Sequence, residues 1–407
     1  MAHPGYVGAP VTSGYAPRVG LGDVSAVLWP SASIAFGARG RSPRAGQRDF
    51  LVLPSASRPR LLVPSGRRPA AAALRRYGEP GSARAWLGRH ALALALSAGA
   101  ARAGLGGRLR VRAEPGADTI EAYLSGVVGQ EVLISTHLGA ARANSKPVLQ
   151  LLGAHGDTLG FAKLSVNPLT RDLIRAEHAA LTALAAEPLR RLTVPRVLHH
   201  GLWRDHEVLV LSALPAWRRR RPLRPGQLTA AMTELATVGG RRRGRLATSP
   251  YLARITSRLE PVAPGPDRDA LGAALGKLAG ADPELSFGAW HGDWTGWNMA
   301  STRDGLLVWD WERFTRPVPA GFDPLHYRLQ TAVIRHRRPP RQAAADLISA
   351  APRVLAPFGV PAAEARLTGL LYLADLSVRY LSDRQAETGA RLGRPGTWLI
   401  PALEEAL

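Results

Sequence analysis

Residues 290–312 read WHGDWTGWNMASTRDGLLVWDWE. Three polar side chains stand where this stretch changes direction: Asp293, Asn298 five positions later, and Asp310 at the end of an apolar run. Trp297–Ser301 and Leu306–Trp311 read as two strands around an Asp304-Gly305 turn, a strong hairpin signal. A carboxylate on a tight loop is suited to taking a proton from a hydroxyl. An Asn oxygen and a second carboxylate brought together by a hairpin are hard ligands of the kind Mg²⁺ prefers.

The spacing of Asp293 and Asn298 is that of the catalytic Asp and metal-binding Asn in the kinase catalytic loop. The stretch resembles the aminoglycoside phosphotransferase and choline kinase family, whose loop reads HGD, four residues, then Asn. A strand follows in that family and ends in an Asp equivalent to the first residue of the kinase DFG motif. The matching positions here are His291, Gly292, Asp293, Asn298 and Asp310, with Glu312 in the family's trailing acidic place. A second HGD, at His155, Gly156 and Asp157, has Ala162 where Asn is needed and reads as a turn between two strands. The resemblance implies an α+β, protein-kinase-like two-lobed fold, with a small antiparallel β-sheet lobe and a mainly helical large lobe. It implies transfer of the γ-phosphoryl group of ATP or GTP to a hydroxyl of a small molecule. Asp293 would be the catalytic base, with Asn298 and Asp310 holding Mg²⁺. His291 and Gly292 would shape the loop rather than touch substrate.

Lysine usage supplies a second line of argument. Of 53 basic Lys and Arg residues only Lys146, Lys163 and Lys277 are lysine, as expected of a sequence drifting from Lys to Arg. A lysine kept under that drift is a candidate for a role that a forked guanidinium fills badly. Lys163 lies in the alternating run Leu159–Val166, which resembles the kinase strand whose lysine reaches the α- and β-phosphates. Glu177 follows fourteen residues on, in the amphipathic pattern Leu173–Leu184, placed to be the ion-pair partner of Lys163. The loop at Gly139–Ser145 would lie over the phosphates in such a lobe. It has no G-x-G-x-x-G, so Asn144 and Ser145 are its candidate contacts, with an ordinary hairpin turn as the alternative. Ser212–Pro215 would link the lobes, and the backbone of Ser212 and Leu214 would meet the purine.

A chain of 407 residues is long enough for two or three packed units. The absence of Cys removes disulfides, thiolate metal sites and cysteine nucleophiles. The start, Met1-Ala-His-Pro-Gly, shows no secretory signal, and the most apolar helical run, Ala91–Ala101, is well short of the roughly 20 residues that span a bilayer. A cytoplasmic protein without a membrane span is expected. The net charge of +22 raises a nucleic-acid reading. The acidic residues are sparse throughout rather than segregated, so nucleic acid is not expected as the primary partner. The clusters Arg218–Arg221, Arg241–Arg243 with Arg245, and Arg335–Arg338 with Arg341 read as solvated faces, with an acidic acceptor as the functional alternative.

Three segments are expected. Residues 1–115 form a partly loose extension with a small α/β unit, strands at Phe50–Pro54, Arg60–Pro64 and Leu109–Arg112, and helices at Ala70–Tyr77 and Ala85–Ala103. Residues 116–215 form the small lobe, and 216–407 a large lobe that is helical except for the catalytic hairpin. Asp323, in Gly321–Pro324, reads as a cap or turn former rather than a ligand. The acceptor has no portable motif. The family phosphorylates aminoglycosides, choline, homoserine and amino sugars, and an arginine-rich large lobe argues against a polycationic aminoglycoside. The alternative is a pseudokinase-type nucleotide-binding or regulatory module without turnover, although no catalytic position is lost.

Overall fold

The first half of the chain builds one sheet because its apolar runs are short, rich in Leu and Val, and broken by turns. The computed structural model describes residues 20–37, 46–55, 57–76, 83–99, 107–114, 116–139, 142–216, 221–389 and 391–407. Part of the extension expected to be loose, including residues 1–19 and 38–45, falls outside these. The chain divides into two compact units. The sheet unit takes the described residues of Met1–Ala141 together with Ser145–Ile174 and Arg196–Ala213. The helical unit takes Arg142–Asn144, Arg175–Pro195 and the described residues of Leu214–Leu407.

The sheet unit contains α1 (Leu21–Leu28), β1 (Ser33–Phe36), β2 (Gln47–Ser55), β3 (Arg58–Pro64), α2 (Arg67–Arg76), α3 (Ala83–Ser97), β4 (Gly107–Arg112), α4 (Ile120–Val128), β5 (Leu133–His137), β6 (Val148–Leu152) and β7 (Thr158–Leu164). After α5 (Pro168–Ala185), which begins in this unit and ends in the other, and β8 (Leu192–Thr193), it is completed by β9 (Val197–Trp203) and β10 (His206–Leu211). Nine strands pair in the order β1-β4-β2-β3-β5-β6-β7-β10-β9, antiparallel throughout. The strands of the N-terminal extension thus continue the same sheet as β5 to β10. Phe50 and Val52 face a core shared with α1 and α4, while Leu51 and Leu53 face one shared with α2 and α3. Burial on both faces explains why this strand reads as a continuous apolar run rather than an alternating one.

The helical unit contains α6 (Gln227–Ala236), β11 (Arg242–Arg245), α7 (Pro250–Leu259), α8 (Pro266–Gly280), β12 (Glu284–Trp290), β13 (Met299–Ser301), β14 (Leu306–Val308), β15 (Thr315–Pro319), α9 (Phe322–Gln330), α10 (Pro340–Leu355), α11 (Ala362–Ser382) and α12 (Leu399–Ala406). One core joins α7 to α12 with β12 and β15, and includes Tyr251, Phe322, Leu347 and Tyr372. The hairpin β13–β14 forms as expected, with Met299 opposite Val308 and Ser301 opposite Leu306, and β8 adds in parallel to β14.

The unit is not helical outside that hairpin, however. Strands β11, β12 and β15 form a second antiparallel sheet. Strand β11 is Arg-Arg-Gly-Arg, with no apolar alternation to announce it, and is held by its ladder to β12. Among the described residues no single helix is long and apolar enough to cross a membrane. Several arginines of the basic clusters are paired. Arg243 meets Glu284 and Glu364, Arg245 meets Asp282, Arg338 meets Asp346, and Arg341 meets Glu405. Arg218–Arg220 lie outside the described residues.

Candidate active site

Strand β12 ends at Trp290, and the chain turns sharply through His291, Gly292 and Asp293. Gly292 has φ of +84°, and a Cβ there would stand 2.3 Å from the Arg313 carbonyl oxygen, so the turn requires glycine. The loop is held from several sides. The Asp323 carboxylate at the start of α9 accepts the backbone N–H groups of His291 (2.8 Å) and Gly292 (3.3 Å). Arg379 of α11 donates to the Gly292 carbonyl at 2.6 Å and stacks over the Trp290 ring. The His291 ring is fully buried against Trp311. Its Nδ1 accepts the Asp293 N–H at 3.1 Å, which leaves Nε2–H to donate to the Trp309 carbonyl. Burial pulls the His291 pKa down to about 4, so the neutral ring this pattern needs is the stable form. His291 and Gly292 thus fix the shape of the loop.

Asp293 itself remains one-third exposed, with both carboxylate oxygens engaged. Oδ2 accepts from Asn298 Nδ2 at 2.9 Å, and Oδ1 accepts from His326 Nε2 at 3.0 Å. Asn298 Nδ2 also donates to the Asp293 backbone carbonyl at 3.0 Å. Both partners are pure acceptors, which fixes the amide orientation and turns Asn298 Oδ1, a hard oxygen, away from Asp293.

Across the hairpin, the Asn298 carbonyl accepts the N–H of Trp309, immediately before Asp310. Asp310 has φ of +73°, a left-handed backbone that a short polar side chain tolerates better than most. Its carboxylate lies with those of Glu177 and Glu312 so that one oxygen of each is within 4.8 Å of the others. Glu177 and Glu312 are buried, and Glu177 also accepts the Trp311 N–H at 3.2 Å. Three carboxylates this close repel by about 3 kcal/mol or more per pair at an effective dielectric near 20. The three carboxylates are hard oxygen donors of the kind a divalent cation takes.

The residues singled out in sequence divide between the units. Asp293, Asn298, Asp310, Glu177, Asn144 and Leu214 belong to the helical unit, and Lys163, Ser145 and Ser212 to the sheet unit. Within the helical unit Asp293 meets Asn298, and Glu177 gathers with Asp310. Lys163 is buried in the middle of the sheet, opposite Val148 of β6 and Leu209 of β10. Asn144 lies in a turn and is half-buried, as is Ser145 beside it. Ser212 is tied twice to Arg196, its N–H donating to the Arg196 carbonyl and its Oγ accepting the Arg196 N–H. The Leu214 carbonyl accepts the Ala216 N–H. The second HGD is a turn between β6 and β7, with Gly156 at φ +84°.

Sequence reasoning left out His326, Tyr372 and Arg379, and did not list Glu312 among the ligands. Asp323 and His326 stand three apart on α9, and Tyr372 and Arg379 seven apart on α11, so each pair shares a helix face. That spacing is legible in sequence, but which face meets the loop is not.

Residues 161–316 match the model of the phosphotransferase enzyme family. The segment holds Lys163, Glu177, Asp293, Asn298, Asp310 and Glu312, but neither Asp323 nor His326. No curated protein matches the chain. Among solved structures, it is similar to a thermostable mutant of aminoglycoside phosphotransferase APH(4)-Ia in a ternary complex with AMP-PNP and hygromycin B. The identity is 13%, covering 71% of this chain and 98% of the other, at a TM-score of 0.47. It is also similar to the GDP complex of wild-type aminoglycoside 2'-phosphotransferase-IIIa, at 11% identity, covering 71% and 98%, with a TM-score of 0.41. A putative fructosamine-3-kinase from Haemophilus somnus 129PT gives 16% identity, covering 71% and 96%, with a TM-score of 0.39.

Proposed function

We propose that this phosphotransferase moves the γ-phosphoryl group of ATP or GTP to a hydroxyl of a small molecule. The reading is carried by the pairing of a partly exposed carboxylate, Asp293, with a hard-oxygen cluster at Asp310 on one loop and hairpin. In this reading Asp293 orients the acceptor hydroxyl and takes its proton late in transfer, while the neighbouring amide and imidazole hold the carboxylate still. Lys163 would grip the nucleotide phosphates as a compact charge. Asn144, Ser145 and the backbone at Ser212 and Leu214 complete the nucleotide contacts. Asn298 and Asp310, joined by Glu312, would hold Mg²⁺, which when bound offsets charge on the transferring phosphoryl group. Trp294 and Trp311, both fully enclosed, pack against the His291 ring of the loop.

The test is transfer of labelled phosphate from γ-labelled ATP and GTP to a panel of hydroxyl compounds. Asp293→Asn is expected to lower the rate by about 10²–10⁴-fold with nucleotide binding retained. Unchanged transfer in that variant would remove Asp293 from the reaction.

A further inference from the structure

Behind Asp293 lies a chain of two hydrogen bonds to His326 and Tyr372, both of which lie outside the matched family segment. His326 Nε2 is 3.0 Å from Asp293 Oδ1, and His326 Nδ1 is 3.0 Å from the Tyr372 hydroxyl. His326 is 2% exposed and Tyr372 fully buried, both in the core of the helical unit. We propose that His326 is the positioning residue for Asp293: its Nε2–H, given to Oδ1, fixes the plane of the carboxylate, and Tyr372 fixes the tautomer that lets it do so. The inference rests on the reading of Asp293 as the base.

The donor directions follow from chemistry. An ionised carboxylate only accepts, so His326 Nε2 must carry hydrogen. The groups facing the ring are Asp293, Tyr372, Arg379 and His291, with Trp290 edge-on at 6.4 Å. Burial lowers the His326 pKa, with Arg379 in the same direction and the Asp293 carboxylate opposing them, and the net direction favours a neutral ring with a single N–H. Burial raises the Tyr372 pKa well above the ordinary value, so its hydroxyl keeps its proton and donates to Nδ1. With Asn298 on Oδ2, the carboxylate is gripped at both oxygens. A carboxylate gripped once can swing, and a base displaced by about 1 Å can lose about 10²-fold in rate.

The experiment has two arms on the full chain. The first is ¹⁵N–¹H spectroscopy of the imidazoles, with His326→Gln used to assign the ring. A neutral ring protonated on Nε2, whose signal moves in Asp293→Asn, is expected. An Nδ1-protonated ring, or one indifferent to Asp293→Asn, overturns the proposal, and this arm needs no turnover.

The second arm is ADP release from ATP and Mg²⁺ with water as the acceptor. His326→Leu is expected to lower kcat by about 10- to 100-fold, the loss of one hydrogen bond to a charged group, with KM for ATP unchanged. His326→Gln, whose amide reaches the Nε2 position, should restore most of kcat. Should the leucine variant fail to fold, Tyr372→Phe keeps the ring and removes only the hydroxyl, and should lower kcat by about 2- to 10-fold. Unchanged kcat in the His326 and Tyr372 variants beside a collapsed Asp293→Asn would overturn the positioning role alone. Full turnover in Asp293→Asn would overturn the reading of the base as well.

Discussion

Asp323 carries a strongly shifted ionisation, and its consequence for stability has a definite sign. Its carboxyl is buried at the start of α9, and burial raises its pKa from 3.8 to about 7, against the lowering effect of two backbone N–H groups and Arg379. In the unfolded chain it loses its proton near pH 4. Between those values the folded state binds the proton more tightly, so stability falls as pH rises through that window and levels off above about pH 7. The full shift corresponds to about 4 kcal/mol, of which about 2–3 kcal/mol develops between pH 5 and 8. Asp323→Asn removes the titration and leaves a side chain of the same shape. Its amide can accept only one of the two loop N–H groups, a fixed penalty that does not vary with pH. The assay is urea unfolding of both proteins at several pH values. The stability of wild type minus variant should decrease by about 2–3 kcal/mol from pH 5 to pH 8. A difference flat in pH, or one that increases with pH, would refute the reasoning and mean that the loop N–H groups outweigh burial.

Gly292→Ala forces a Cβ to within 2.3 Å of the Arg313 carbonyl at a positive φ. It should destabilise the protein by at least about 1–2 kcal/mol in urea unfolding and lower turnover by displacing Asp293; retention of both would mean that the turn relaxes freely. Mg²⁺ at 100 times its Kd should stabilise the wild-type chain by about 2.7 kcal/mol, with a smaller response in Glu312→Gln. Equal thermal shifts in the two proteins would exclude Glu312 from the ion site. Lys163→Arg should fold normally by circular dichroism yet lose most phosphoryl transfer, since a fork cannot take the place of a compact ammonium. Full activity in that variant would end the assigned phosphate grip.

The parts of the fold legible in sequence are those whose signal is local. The hairpin at 299–308 was legible because Asp304-Gly305 interrupts two apolar runs, and β7 because Lys163 punctuates an alternating strand. Strand β11 was not, because its pairing with β12 rather than its own residues makes it a strand. Helix α7 carries a readable start, with the Ser249 side chain accepting the Leu252 N–H and Pro250 at the first helical position. At the site, Asp293 and Asn298 share one loop, so their relation follows from spacing. The contacts made by His326, Tyr372 and Arg379 depend on how α9 and α11 pack beneath the loop, over sequence separations that periodicity cannot bridge. Glu177 shows the same limit. Its helix was legible, but its approach to Asp310 and Glu312 was not.

Calorimetric titration of ATP and GTP in the presence of Mg²⁺, with wild type beside Asp310→Ala, tests the central claim most directly. The account predicts metal-dependent nucleotide binding by the wild type that is lost in the variant. A folded wild-type chain that binds neither nucleotide, or an Asp310→Ala variant that binds as tightly, would contradict it.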